Sequence, residues 1–279
     1  MCVPGTVEAV RARADAEGVR LDRRTALLGA AAAAVAAGLP GRAAAAPRHS
    51  TNHLQDLTHE FRVGFPSFLG APAKLERTTV VNIPDNGFYG QWWTFWEHSC
   101  THMDVPAHFV EGGRFSPELT PEELIVPGVV IDISAKVPSN PDAMLTLDDV
   151  RAFERSHGRI PSRAVVCAYS GWESRVHSEA LYRNVGADGL QHFPGLSAEA
   201  ADWLIDNRGV SGFGVDTMSL DPGNSTTFAA HLTILSADRY GIENLANLSR
   251  IPPRGATLYV GLVPWQEGSG GPARIIAAW

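Results

Sequence analysis

The stretch HSCTHMDVPAHF, running from His98 to Phe109, constrains this chain more than any other, because it crowds His98, His102, Asp104 and His108 into eleven residues. All four positions are even. An extended backbone alternates its side chains between two faces and would send all four to the same side. A helix, turning about 100° per residue, would keep His98 near His102 but carry Asp104 and His108 away. Pro106 lacks an amide donor and disfavours helical geometry at Val105, which argues against a regular helix. The segment is therefore expected at the end of a strand running into an irregular turn that presents ligands.

The residue types fit a metal. Two neutral imidazoles with a carboxylate make a mixed nitrogen and oxygen set suited to Zn²⁺ and acceptable to Mn²⁺ or Fe²⁺. Three protein ligands leave a position open for water, and a metal can bring the pKa of such a water towards neutrality, with a nearby further histidine to move protons. Four unrelated polar residues in a loop are the alternative, and their density speaks against it.

Composition enters through the N-terminus. Arg23 and Arg24 precede an apolar run of 14 residues from Ala26 to Leu39, followed by small residues from Ala43 to Ala46. This pattern looks like a twin-arginine export signal, and the run is shorter than the roughly 20 residues of a membrane span. Cleavage near Ala45 or Ala46 is expected, giving a signal over 1–46, a domain over 47–279, an extracytoplasmic address and no stable membrane anchor. Taking the six arginines and four acids of residues 1–46 from totals of 23 basic and 30 acidic leaves 17 and 26, a net charge of −9. A nucleic-acid partner is disfavoured at that charge. Beyond residue 46 only Cys100 and Cys167 remain, too few for a disulfide-built scaffold.

From about Gln55 the pattern is one of several strands with few helices. Residues 78–83 (TTVVNI), 91–97 (QWWTFWE), the run GVVIDISAKV from Gly128 and AVVCAY from Ala164 are rich in β-branched or aromatic residues and read as strands. GVSGFGVD from Gly209, ATLYVGLVPW and ARIIAAW read likewise. Thr146 with Asp149 three residues on has the form of a capping box, opening a helix that ends near His157 and Gly158. A second helix is expected from Ser197, with Ala200, Ala201, Leu204 and Ile205 on one face and Gly209 as its stop. The fold class is α/β, a mixed β/α single domain.

HSCTHMDVPAHF resembles the signature HxGTHxDxPxHF of the cyclase family, which includes bacterial kynurenine formamidase and isatin hydrolase. FPGLSAEAADWL at 193–204, GVDTMSLDP at 214–222, and HLTIL with IENLANL between 231 and 248 resemble the same family in order. The resemblance implies a swivelling β/β/α fold and a homo-oligomer, dimer or tetramer. It also implies a metal-dependent hydrolase that cleaves a C–N bond of an amide, formamide, lactam or cyclic imide in a small-molecule substrate. It makes His98, His102 and Asp104 metal ligands and His108 the proton-transfer residue. His231 and Glu243 join as a second pair, holding one or two ions of Zn²⁺ or Mn²⁺ per subunit; nothing local to either residue demands a metal. Cys100 departs from the signature, standing where glycine is usual; a positive φ there would put a side chain under strain.

The remaining candidates are weaker. Ser170 lacks the GxSxG context of a serine nucleophile. Asp216 and Asp221 either support the site or stabilise turns, and Phe65 and Phe68 either wall a pocket or fill a core. The rival functions are a metal-dependent cyclase or dehydratase of natural-product assembly and a non-catalytic metal-binding module. Retention of His108 speaks against the last.

Overall fold

The computed structural model describes residues 53–70 and 75–279. The export-signal reading over residues 1–46 lies outside the described residues. The strands are β1 (Leu54–Asp56), β2 (Glu76–Val81), β3 (Gly90–Thr94), β4 (His102–Asp104), β5 (Ile125–Asp132), β6 (Met144–Leu145), β7 (Val165–Tyr169), β8 (Gly195–Leu196), β9 (Gly212–Val215), β10 (Tyr240–Glu243), β11 (Arg254–Leu262) and β12 (Gly270–Ala278). Three helices carry the outer packing: α1 (Leu147–His157), α2 (Ala198–Arg208) and α3 (Ala229–Ser236).

Residues 77–93 group apart from the rest of the described chain, and there β2 pairs with β3. β3 is shorter than its aromatic run, whereas β2 has the expected six residues but starts and ends two residues earlier than 78–83. Asn82 ends β2 by accepting a hydrogen bond from the Asp85 amide at 3.0 Å, which starts a single helical turn. In the larger unit Phe95 packs edge-on against Phe61 and Trp265, so the strand expected to run straight into His98 stops at Thr94.

The larger unit is a seven-stranded mixed barrel. β5, β7, β9 and β10 are mutually parallel in the order β5-β7-β9-β10, while β4 joins β10 antiparallel. β12 then pairs antiparallel with β4 and β11, and β11 with β5, so the ring closes. β1 extends the C-terminal half of β12, with Leu54 opposite Ala278. The parallel strands read as continuous apolar runs because both faces are covered. Val165, Cys167, Ile242, Leu258 and Ile275 fill the interior, whereas Val129, Ile131, Val166 and Phe213 point outward onto the helices.

The predicted helices form as their end signals require. Thr146 and Asp149 exchange the reciprocal bonds of a capping box, and Gly158 terminates α1 at φ 82°. Ser197 accepts from the Ala200 amide at 3.1 Å, and α2 buries Ala200, Ala201 and Leu204 before stopping at Gly209 with φ 60°. β5 ends at Asp132, short of the full GVVIDISAKV run, because the Asp132 carboxylate accepts from the Ser134 amide and turns the chain. Cys100 and Cys167 are buried and free.

Candidate metal centre

The even-numbered spacing is realised only in part. β4 is three residues long; it points Met103 into the barrel and His102 and Asp104 to the outside. His98 arrives through the turn that precedes it, and His108 ends a 3₁₀ turn at Pro106–His108. The whole segment is thus not extended, and its four side chains converge because two turns fold back on a short strand. Asp104 lies opposite Gly241 on β10 and Gly270 on β12. A β-carbon at Gly270 would come within 2.3 Å of the Met103 carbonyl oxygen and 2.8 Å of the His98 ring. Only glycine lets the barrel wall close this tightly around the carboxylate.

His231 and Glu243 complete the cluster from other elements. Glu243 stands directly opposite His102 across the β4–β10 pairing, and His231 comes from α3, which packs over that wall. His102 Nε2 lies 3.3 Å from Glu243 Oε2 and 3.4 Å from Asp104 Oδ1. His231 Nε2 lies 3.1 Å from Glu243 Oε1 and 3.4 Å from Asp104 Oδ2. His98 Nδ1 is 2.6 Å from Asp104 Oδ1, and the His108 ring stacks on the His98 ring with centroids 3.7 Å apart. All six residues named from the sequence are therefore in one place.

Their outer partners fix which nitrogens face inward. His102 Nδ1 donates to the Cys100 carbonyl at 2.8 Å and His231 Nδ1 to Asp221 Oδ2 at 2.6 Å, turning both Nε2 atoms towards the carboxylates. Asp221 also accepts the amides of Ala230 and His231, at 2.8 and 3.1 Å. One carboxylate thus caps α3 and orients its histidine. Burial alone would raise the pKa of Asp221, but these bonds hold it below the usual carboxylate range. Glu243 Oε1 in turn accepts from the Leu220 amide.

Burial opposes charge throughout the cluster, and the mutual contacts prevail. His102 is lifted to about 10 by Asp104 and Glu243 against the effect of burial, and His231 is raised in the same way. Asp104, despite complete burial, is held well below its ordinary value by His98, His102 and His231. His108 goes the other way, pushed down to about 4 chiefly by burial. Two carboxylates at this depth demand compensating positive charge. His102 Nε2 and Asp104 Oδ2 are buried without a directed hydrogen-bond partner. Among the described residues, ligand atoms of His98, Asp104 and His108, and again of His102, Asp104 and Glu243, lie within 4.8 Å of one another. A donor set of imidazoles and carboxylates sharing Asp104 fits one or two divalent cations.

Above the cluster is a cavity of about 190 Å³, walled by Phe68, Trp96, Phe109, Met218 and Phe228. Phe109 stacks on His231 with centroids 4.7 Å apart. Of the two phenylalanines left open by the sequence, Phe68 is a wall and Phe65 is core, edge-on to Tyr182. Ser170 gives its hydroxyl hydrogen to Asp216, which also accepts from the amides of Ser170 and Trp172. Those two residues serve a buried turn. Asn244 escaped the sequence reading. Its Nδ2 donates to the Cys100 carbonyl at 2.8 Å, Thr101 Oγ1 donates to its carbonyl, and Tyr182 Oη donates to its Oδ1. It lies in left-handed backbone at φ 54°, a conformation asparagine tolerates, directly after Glu243. That placement was the available signal.

The family model "Putative cyclase" matches residues 55–222. This chain belongs to the cyclase family. Isatin hydrolase of Roseibium aggregatum is 31% identical over 222 residues, covering 76% of this chain and 84% of that protein. Kynurenine formamidase of Erythrobacter litoralis is 27% identical over 197 residues, covering 70% and 80%. Among solved structures, isatin hydrolase A from Ralstonia solanacearum superposes with a TM-score of 0.75 at 34% identity, covering 81% of this chain and 91% of that one. An isatin hydrolase bound to the product analogue thioisatinate gives 0.76 at 28% identity, covering 81% and 92%. Membership makes the chain a metal-dependent amidohydrolase acting on non-peptide C–N bonds.

Proposed function

We propose that this cyclase-family hydrolase opens the C–N bond of a small aromatic lactam or cyclic imide, or removes the acyl group of an aryl formamide. His98, His102, Asp104, His231 and Glu243 would hold one or two Zn²⁺ or Mn²⁺ ions. The observation that carries the reading is that two buried atoms of the cluster, His102 Nε2 and Asp104 Oδ2, have charged neighbours but no directed hydrogen bond, beside an aromatic-walled cavity that His102 itself lines. The relatives named for isatin and kynurenine chemistry act on planar aromatic compounds, and walls of Phe68, Trp96 and Phe228 suit such a ring.

When bound, a divalent ion supplies Lewis-acid polarisation of the carbonyl and acidifies water. The chain's own residues do the rest. Asp221 and the Cys100 carbonyl keep the His231 and His102 rings in their ligating tautomers. The aromatic walls exclude bulk water and orient the substrate ring. His108, stacked on His98 at the cavity edge, takes a proton at a ring nitrogen and returns it to the departing nitrogen.

The swivelling β/β/α assignment, a homo-oligomer and export through the Arg23–Arg24 signal belong to the same proposal. Among the described residues no helix is long and apolar enough to cross a membrane. The test uses the full chain grown with supplemented metal. Elemental analysis is expected to find one or two divalent ions, and absorbance assays to show opening of isatin or deformylation of N-formylkynurenine, with His102→Ala losing both metal and turnover. Absence of metal after reconstitution, together with no turnover of amides, formamides, lactams or cyclic imides, would overturn the reading.

A further inference from the structure

We propose that Cys100 is a partition that sets the size of the accepted substrate, an inference that rests on the substrate class proposed above. Three observations converge on it. Cys100 is in left-handed backbone at φ 56°, a conformation that strains a side chain and favours glycine. The main chain cannot relax that strain, because the Cys100 carbonyl is gripped by both His102 Nδ1 and Asn244 Nδ2, each at 2.8 Å. The thiol is therefore pinned where it is, buried among Phe65, Met218 and Tyr182.

The third observation says what the pinned side chain divides. A second cavity of about 640 Å³, open to solvent, is bordered by Thr58, His59, Glu60, Thr101 and Arg274. Cys100 lines both cavities, and the two linings share no other residue. With the thiol in place the aromatic cavity ends at about 190 Å³, room for a compact bicyclic compound. Glycine at this position would relieve the backbone and join the small cavity to the larger one. The strained cysteine thus trades local stability for a closed floor, and the substrates it rejects are those whose ring carries an extra bulky group directed at that floor.

The experiment uses the full metal-loaded chain, with 2-aminobenzoate as product-like probe and its four ring-phenyl derivatives, titrated by calorimetry. The wild type is expected to bind the parent and reject all four derivatives. In Cys100→Gly the affinity of at least one derivative relative to the parent should rise about tenfold or more, with metal content and parent affinity measured alongside so that the ratio is read at known occupancy. Cys100→Ala, which keeps the β-carbon, should give a smaller gain and serves if the glycine variant misfolds. Unchanged selectivity in both variants would overturn the proposal. If the wild type binds no probe at all, the substrate class fails instead. The partition is then decided by a crystal structure of Cys100→Gly: joined cavities support it and separate ones overturn it.

Discussion

Removing the carboxylate of Asp221 by substitution with alanine separates support of the metal centre from contact with it. Asp221 is absent from the ligand groups, yet it accepts three hydrogen bonds from α3: His231 Nδ1 at 2.6 Å, the Ala230 amide at 2.8 Å and the His231 amide at 3.1 Å. Loss of a cap of this type costs about 0.5–2 kcal/mol. Loss of a buried bond to a charged partner costs about 1.5–3 kcal/mol. The contributions overlap in one small region, so about 2–4 kcal/mol is expected for Asp221→Ala. Its effect on metal follows separately. A histidine freed from its orienting carboxylate typically loses about 10- to 100-fold in metal affinity. Urea unfolding of the metal-free chain measures the first quantity, and competition with a graded chelator measures the second. Asp221→Asn, which can still accept the helix amides, should recover most of the stability but not the metal affinity. If Asp221→Ala unfolds at the wild-type urea concentration and holds metal as tightly, α3 and His231 are positioned by something other than this carboxylate.

Three further outcomes are expected. His108→Ala should keep its metal and lose about 10²- to 10⁴-fold in turnover; if it instead empties the centre and added metal restores activity, His108 is a ligand, as its distance to His98 and Asp104 also permits. Asp216, raised by burial to about 6, keeps in the folded state a proton that the unfolded chain has lost, so its contribution to stability falls as pH rises from about 4 to 6. Asp216→Asn should remove up to about 3 kcal/mol of that fall in urea titrations at stepped pH; an unaltered slope would show that this carboxyl is not its source. Arg23→Lys with Arg24→Lys should retain the chain in the cytoplasm, and N-terminal sequencing of exported wild type should begin near residue 46; a start near Met1 would refute the signal.

What the sequence disclosed and what it hid divide along a physical line. Capping pairs such as Thr146 with Asp149 act over three residues, so both helix starts were readable, and buried parallel strands announce themselves as apolar runs. β10 is four residues long and carries no alternation. α3, AAHLTILS, is apolar on nearly every side and starts at Phe228 in left-handed backbone, with its cap supplied by Asp221 from outside the helix. No local window contains that information. Likewise the parity argument served His102 and Asp104, which share a strand, but His98 and His108 are delivered by turns. His231 and Glu243 became legible through resemblance, since only strand register and the docking of α3 bring them to Asp104.

β4 is the shortest strand of the ring and the one that shuts it, bonded to β10 on one side and to β12 on the other. Its backbone partners lie more than a hundred residues further along the chain, so ring closure cannot precede the appearance of Gly270 during synthesis. Contacts this distant in sequence are slow to form. The assembled cluster is consequently a late product of folding, and metal uptake can be used as a clock for the last step of barrel closure. A nascent chain halted before β12 would have His98 through Glu243 in hand and still offer no enclosed centre.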